Sequence, residues 1–424
     1  MNKLFRSACM LSVAAYIVSI TACNNNSRPE NNGAPRQDTT LKLPDGFSAT
    51  VVADSVGRLR HIAINTNGEV YAKLSALKDG NGIYLLSDTD KNGSLDKAVG
   101  FGDYPGTGIA INNGYLYSAS NSGVMRYKLN EKQEVNISDT PEVIVEGLVD
   151  KGRDNSKSIA IDGQDNLYVT VGSYSDACRQ EGSGMGIAGC PLLDSVAGVW
   201  KFKTDKLHQH YSDGVRYATG IKNAVGIVWN DKTNSLFATQ HGRGKFDDKF
   251  PQYYTAKQSA ELPAETIYEL HQGSDAGWPF IYYDQFQKKQ IVAPEYGGDG
   301  KKESTGKFQD PAIAFPAHLA PDDLLFYTGD MFPAKYKNGA FIAFHGQSTA
   351  LKQGYLVAFV PFKDGKPSGP WEIFADNFAG EDLNNPKGPI QHRPTGLAQA
   401  PDGSLYVADD LKGTIFRIAY SGKK

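Results

Sequence analysis

One unit recurs along the chain and restricts its fold more than anything else. It is a turn with Gly, Asn or Asp, a short apolar strand carrying an aromatic, and a small or apolar exit. It reads Asn67-Gly68-Glu69-Val70-Tyr71-Ala72, then Asn113-Gly114-Tyr115-Leu116-Tyr117-Ser118, then Asp165-Asn166-Leu167-Tyr168-Val169. It returns as Asn234-Ser235-Leu236-Phe237-Ala238, Asn338-Gly339-Ala340-Phe341-Ile342-Ala343 and Asp402-Gly403-Ser404-Leu405-Tyr406-Val407. Aromatic and β-branched residues between turn residues favour pleated strands. The mean period of about 60 residues suits a four-stranded blade with long loops better than a compact repeat. The expected fold is all-β, a six-bladed β-propeller in a single domain. A pair of β-sandwiches competes with it but leaves the recurring strand unexplained.

With 424 residues and 40% hydrophobic content the chain can bury a large core. A formal net charge of −3 excludes the basic footprint of a nucleic-acid binder, so no nucleic-acid partner is expected. Lys3 and Arg6 followed by Met10-Leu11-Ser12-Val13-Ala14-Ala15-Tyr16-Ile17-Val18 read as an export signal over 1–22. Ile20-Thr21-Ala22-Cys23 resembles a lipobox, so Cys23 is the expected lipid anchor of an exported, membrane-anchored lipoprotein on a periplasmic or outer-membrane face. Residues 23–40, rich in Asn, Pro and Arg, read as a disordered tether ahead of the propeller at 41–424. Cys178 and Cys190 remain in the mature domain, and in an exported chain their simplest use is a disulfide. A metal pair is the alternative, against which stand the missing C-x-x-C spacing and adjacent His.

Function is expected in the longest loops, 173–196, 240–265 and 272–312. A short helix is expected within 260–270, limited by Pro263, with Glu261, Glu265 and Glu269 on a solvated face. Asp88-Thr89-Asp90-Lys91-Asn92-Gly93-Ser94-Leu95-Asp96 has calcium-loop spacing without the closing Glu, and reads equally as an Asx-rich hairpin turn. His61, His241, His318, His345 and His392 all fall at strand ends, with His318 and His392 expected near the channel mouth. Trp278 is a candidate sugar-stacking aromatic and reads equally as packing between blades.

Several stretches resemble the glucose/sorbosone dehydrogenase family, propeller enzymes that use pyrroloquinoline quinone (PQQ) with calcium. They are Tyr217-Ala218-Thr219-Gly220-Ile221-Lys222-Asn223-Ala224-Val225-Gly226, Gly273-Ser274-Asp275-Ala276-Gly277-Trp278-Pro279 and Leu325-Phe326-Tyr327-Thr328-Gly329. Phe341-Ile342-Ala343-Phe344-His345-Gly346 and His392-Arg393-Pro394-Thr395-Gly396-Leu397-Ala398 complete the set. The resemblance spans about residues 41–420, and the sorbosone-dehydrogenase-like and pyranose dehydrogenase branch is nearest. It implies PQQ and Ca²⁺ as cofactors, a sugar substrate and an external electron acceptor. A base would take a proton from a sugar hydroxyl while hydride moves to the quinone.

Carried over by position, the family's base histidine falls at Asp154, and the basic residue after it at Lys157. The Arg-Asn pair that contacts the cofactor falls at Lys222 and Asn223, so a point charge replaces a bidentate guanidinium. The carbonyls that hold calcium fall at Gly242 and Arg243. The first late cation falls at Arg393, whereas the second falls at Thr395. Where relatives carry an aromatic and a cation after the His-Gly pair, this chain has Gln347-Ser348-Thr349-Ala350. An Asp of ordinary pKa ~3.9 is a weaker base than a His of ~6.5 by roughly 3.5 kcal/mol, so His318 is the substitute base candidate. The resemblance thus implies oxidation of an aldose or sugar aldehyde. A non-catalytic sugar-binding propeller that has lost its base, and a calcium-dependent lactonase-type hydrolase, are the alternatives.

Overall fold

The computed structural model describes residues 35–348 and 350–422. The export signal, Cys23, the tether up to residue 34, and Thr349 lie outside the described residues. Six mainly antiparallel sheets of four or five strands form the blades, and two two-stranded ribbons lie beside them. Blade one runs Leu59–Ile64, Val70–Lys78, Asn81–Ser87 and Lys97–Phe101, and each later blade repeats this meander. The first strands are Leu59–Ile64, Ile109–Asn112, Ile159–Ile161, Ile227–Asn230, Pro321–Phe326 and Pro394–Gln399. Each packs beside the first strand of the next blade, and the last beside the first, which closes a ring around a central channel.

All six recurring units are the second strands of the six blades. The turn before each adopts positive φ: at Gly68, at Asn113, Asp165, Asn234 and Asn338, and at Gly403. These are residue types that reach the left-handed region at little cost, which is why the unit's turn is legible in sequence. Both faces of each blade are covered, and successive residues of a strand feed different interfaces. Val70, Ala72 and Leu74 enter the core between blades six and one, while Tyr71 enters that between one and two. Six such clusters, one per pair of neighbouring blades, make up most of the core.

The ring is closed by chain ends. Phe47–Ala53 is the outer strand of blade six, pairing Phe47 with Tyr420 and Thr50 with Arg417. Outside it, Arg36–Asp38 pairs with Val51, Thr50 and Ala49, so the stretch expected to be a tether includes an edge strand.

The helix expectation needs correction. The helix is Ala256–Glu261, capped by Thr255, and Glu265–Leu270 is the third strand of blade four. Pro263 cannot continue a helix, and Thr266-Ile267-Tyr268 prefers a sheet. Glu265 is therefore buried instead of lying on a solvated face. In the 88–96 loop, Asp90 accepts from the Asn92 amide and Asn92 Oδ1 from the Ser94 amide, two successive Asx turns, while Asp88 accepts from the amides of Asn92 and Gly93.

Candidate functional site

First strands begin, and second strands end, on one side of the ring, and there polar side chains replace the apolar alternation. Asp322, at the start of blade five, is the hub. Its Oδ2 lies 2.8 Å from Arg60 NH1 of blade one and 3.4 Å from His345 Nδ1. Its Oδ1 lies 3.2 Å from His241 Nε2 of blade four, and its main-chain carbonyl accepts from His61 Nε2 at 2.9 Å. Burial would push this carboxyl up, but the facing His345, Arg60 and His241 hold it well below the ordinary range. His241 in turn, although burial opposes its charge, is raised by the bond and charge of Asp322.

The chain of pairs continues across the mouth. His345 Nε2 donates to Asp410 Oδ2 at 3.1 Å, and Arg393 grips the same carboxylate through Nε and NH2, both at 2.7 Å. Beside it His392 Nδ1 lies 2.9 Å from Asp409 Oδ2. His318 and His392 are both partly exposed among these groups.

On the side of blades three and four, Lys222 Nζ contacts Asp154 Oδ2 at 2.9 Å. Asn223 Nδ2 faces His241 Nδ1 at 3.5 Å, and its buried Oδ1 has no hydrogen-bond partner. The Gly242 amide donates to Glu265 Oε2, and the His318 amide donates to Glu265 Oε1, each at 2.8 Å. One buried carboxylate thus draws His318 next to the Gly242-Arg243 turn. His318 Nε2 meets the Ser259 carbonyl at 2.8 Å. A carbonyl only accepts, so in the neutral imidazole Nε2 carries the proton and Nδ1 keeps its lone pair.

Arg243 forms a two-pronged pair with Glu295, NH1 to Oε2 and NH2 to Oε1 at 2.5 Å each. Arg179 reaches the same Oε1 at 2.6 Å. Burial would raise Glu295, but Arg243 holds it below its usual value. This knot joins all three long loops, and the disulfide Cys178–Cys190 packs beside it with Trp278, whose Nε1 donates to the Asp176 carbonyl. Closing so short a loop contributes about 3 kcal/mol in the chain-entropy model. Trp278 is 5% exposed, so it supports the loops instead of presenting a stacking face.

Of the residues singled out in the sequence, Asp154, Lys222, Asn223, Gly242, Arg243 and His318 converge here. Arg393 joins them through Asp410, His345 and Asp322. Lys157 stands apart: it is fully buried, donates to the Asn155 carbonyl at 2.7 Å, and burial pushes its amine down to about 8. Thr395 is buried beneath the mouth, bonded to backbone carbonyls. Sequence reasoning missed Arg60, Asp322, Asp410 and Glu295, and placed Glu265 on a solvated face. The Asp-Asp pairs at 322–323 and 409–410, each at a strand end, were the available signal.

Carboxylates do converge at the mouth, as the hydrolase alternative requires, but Asp154, Glu295, Asp322 and Asp410 are each matched by a cation. Among the described residues no group of three or more His, Cys, Asp or Glu side chains is arranged to hold a metal.

Comparison with known proteins agrees with this architecture. A PQQ-dependent sugar dehydrogenase of Hypocrea jecorina is 20% identical over 97% of this chain and 96% of its own length. The solved Trichoderma reesei Carbohydrate-Active Enzymes Family AA12 structure superposes with a TM-score of 0.72 at 19% identity, over 90% of this chain and 98% of that one. The PQQ domain of Coprinopsis cinerea pyranose dehydrogenase gives 0.68 at 18% identity, over 92% and 99%. The family model described as TrAA12-like matches residues 41–421, and the chain belongs to that family.

Proposed function

We propose that the protein is a sugar oxidoreductase that uses PQQ with Ca²⁺, oxidising an aldose or sugar aldehyde and passing electrons to a separate acceptor. The observation that carries this reading is the donor set around Lys222. Lys222 offers an ammonium, Asn223 a buried amide oxygen with no partner, and Gly242 and Arg243 two main-chain carbonyls. Among the described residues neither carbonyl accepts a hydrogen bond. Carbonyl oxygens suit a hard cation such as Ca²⁺, an ammonium suits a carboxylate-bearing quinone, and the Asn223 Oδ1, which only accepts, suits the cation or a ligand N–H, so the residues fit the pair. When bound, PQQ supplies the two-electron acceptor that no side chain offers.

The remaining work falls to this chain. Lys222 and Arg393 would hold ligand carboxylates from opposite sides of the mouth. Of the two base candidates, Asp154 is committed to Lys222, whereas His318 has an uncommitted Nδ1, with its ring oriented by Ser259 and its backbone by Glu265. His318 is the side chain we assign to accept the substrate hydroxyl proton. The second reading, a sugar-binding propeller without turnover, draws on the Asp154–Lys222 pair.

Titrating the purified mature domain with PQQ at saturating Ca²⁺ tests the assignment. At a hundredfold excess over Kd, binding should stabilise the fold by about 2.7 kcal/mol, visible as a higher Tm. No shift and no absorbance change would remove the oxidoreductase reading. Binding without sugar-dependent dye reduction would favour the second.

Export and lipid anchoring at Cys23 belong to the same proposal. The Cys178–Cys190 disulfide supports it, since such bonds persist in oxidising compartments. Cys23→Ala should move the protein from the membrane to the soluble fraction. Unchanged membrane retention would defeat the anchor.

A further inference from the structure

Asp154 is locked in place before its side chain does anything. It holds φ of 46°, and its carbonyl is packed so closely over Gly172 that a Cβ there would lie 2.3 Å from it. From this fixed point the carboxylate reaches Lys222, whose Nζ lies 2.9 Å from Oδ2. Each member of the pair has a second, looser neighbour of opposite charge. Arg153 Nε is 3.9 Å from Asp154 Oδ2, and Asp176 Oδ1 is 4.0 Å from Lys222 Nζ. Arg153 and Asp176 also face each other at 3.4 Å. The four side chains make a square of two cations and two anions, in which only Arg153 is well exposed, its side chain at 55%. Arg179 NH2 also lies 3.6 Å from Asp176 Oδ2, so Asp176 is shared and Asp154 is the anion that holds Lys222; an incoming carboxylate must compete with Asp154 for that ammonium.

We propose that the Asp154–Lys222 pair is a latch on the ligand site: a ligand carboxylate takes the Lys222 ammonium, and Asp154 shifts to Arg153. The inference rests on the reading of Lys222 as a cofactor grip, and adds that this chain must break an internal pair to bind. The physical consequence is a lowered affinity. Only the fraction of molecules with Lys222 released is competent, and the apparent Kd rises by the inverse of that fraction. The latch also discriminates, because a neutral polyol cannot displace Asp154 from an ammonium. A ligand must bring its own anionic group. Displacement leaves Asp154 beside an exposed guanidinium, where water screens the pair more strongly than it screens the covered one with Lys222.

The test is direct binding of PQQ in the presence of Ca²⁺, read by absorbance without turnover, for the wild-type chain, Asp154→Asn, Lys222→Met and the double variant. Asn removes the charge, keeps the shape and tolerates positive φ, and Asp154→Ser serves if the Asn variant fails to fold. Asp154→Asn should bind roughly tenfold tighter or more, since no pair has to open. Lys222→Met should bind weakly, and the double variant should show no gain from Asp154→Asn, because the latch acts only through Lys222. Equal affinity of wild type and Asp154→Asn overturns the latch and leaves the cofactor reading standing. A gain that persists in the double variant overturns it as well. Binding by Asp154→Asn alone supports the latch and removes the cofactor reading for the native chain. PQQ bound by none of the folded proteins overturns both.

Discussion

Asp322→Asn is expected to lower folding stability by about 3–5 kcal/mol, the usual cost of stripping one partner from a buried ion pair. Asn cannot neutralise Arg60, and it leaves His241 and His345 facing an amide where a carboxylate stood. Because Arg60 comes from blade one and His241 from blade four, the loss falls on contacts across the channel and not within one sheet. Urea unfolding should show a lower midpoint at unchanged slope. The double variant Arg60→Met with Asp322→Asn should recover part of the loss, the non-additivity expected of groups in direct contact. Additive losses would mean that the pair is not coupled.

The same hub sets a pH dependence with two limbs. The Asp322 carboxyl titrates lower in the folded protein than in the unfolded chain. Its contribution is therefore complete above the unfolded value of ~3.9 and drains away as pH falls through the depressed folded value. His241 is raised, so its contribution is complete below ~6.5 and is lost as pH rises through the raised folded value. Asp322→Asn should flatten both limbs together.

Glu295→Gln should be comparably damaging, about 3–5 kcal/mol, because it takes the paired carboxylate from Arg243 and the nearer of two from Arg179, which keeps Asp176 at 3.6 Å. Arg243 would lose a two-pronged pair at 2.5 Å and Arg179 its contact at 2.6 Å. Here the damage should be local. The knot binds loops carried by blades three and four, while the six cores between blades do not depend on it. Hydrogen exchange should rise in 173–196 and 240–265, with the amides of blades one and two unchanged. The Gly242 and Arg243 carbonyls should lose their fixed placement, so Ca²⁺-dependent PQQ binding should weaken in parallel. Uniform exchange throughout the domain would contradict a role confined to the loops.

These residues divide along the line between local and distant information. The six recurring units announce themselves because a left-handed turn and an apolar strand with an aromatic are local events. Each became the second strand of a blade. The carried-over positions at Lys222-Asn223 and Gly242-Arg243 also converge, since one blade's first and second strands lie close in sequence. The acidic partners were hidden for the opposite reason. Arg60 meets Asp322 across 262 residues, and Arg243 meets Glu295 across 52. Neither aspartate nor glutamate carries a pattern that names its cation. Glu265 reads as solvated in sequence because Pro263 marks where a helix must stop without specifying that a buried strand comes next.

The sequence alone therefore determined the number of blades, the strand that repeats in each, the candidate cofactor cations and the two cysteines available to pair. Tertiary structure alone decided which charges those cations keep. Ring closure brings the starts of six first strands to one mouth, and there Asp154 meets Lys222, Asp410 meets Arg393, and Lys157 is buried out of reach. Repeats arise from short-range steric and packing preferences, whereas charge pairing at the mouth depends on distances that exist only once the ring has closed.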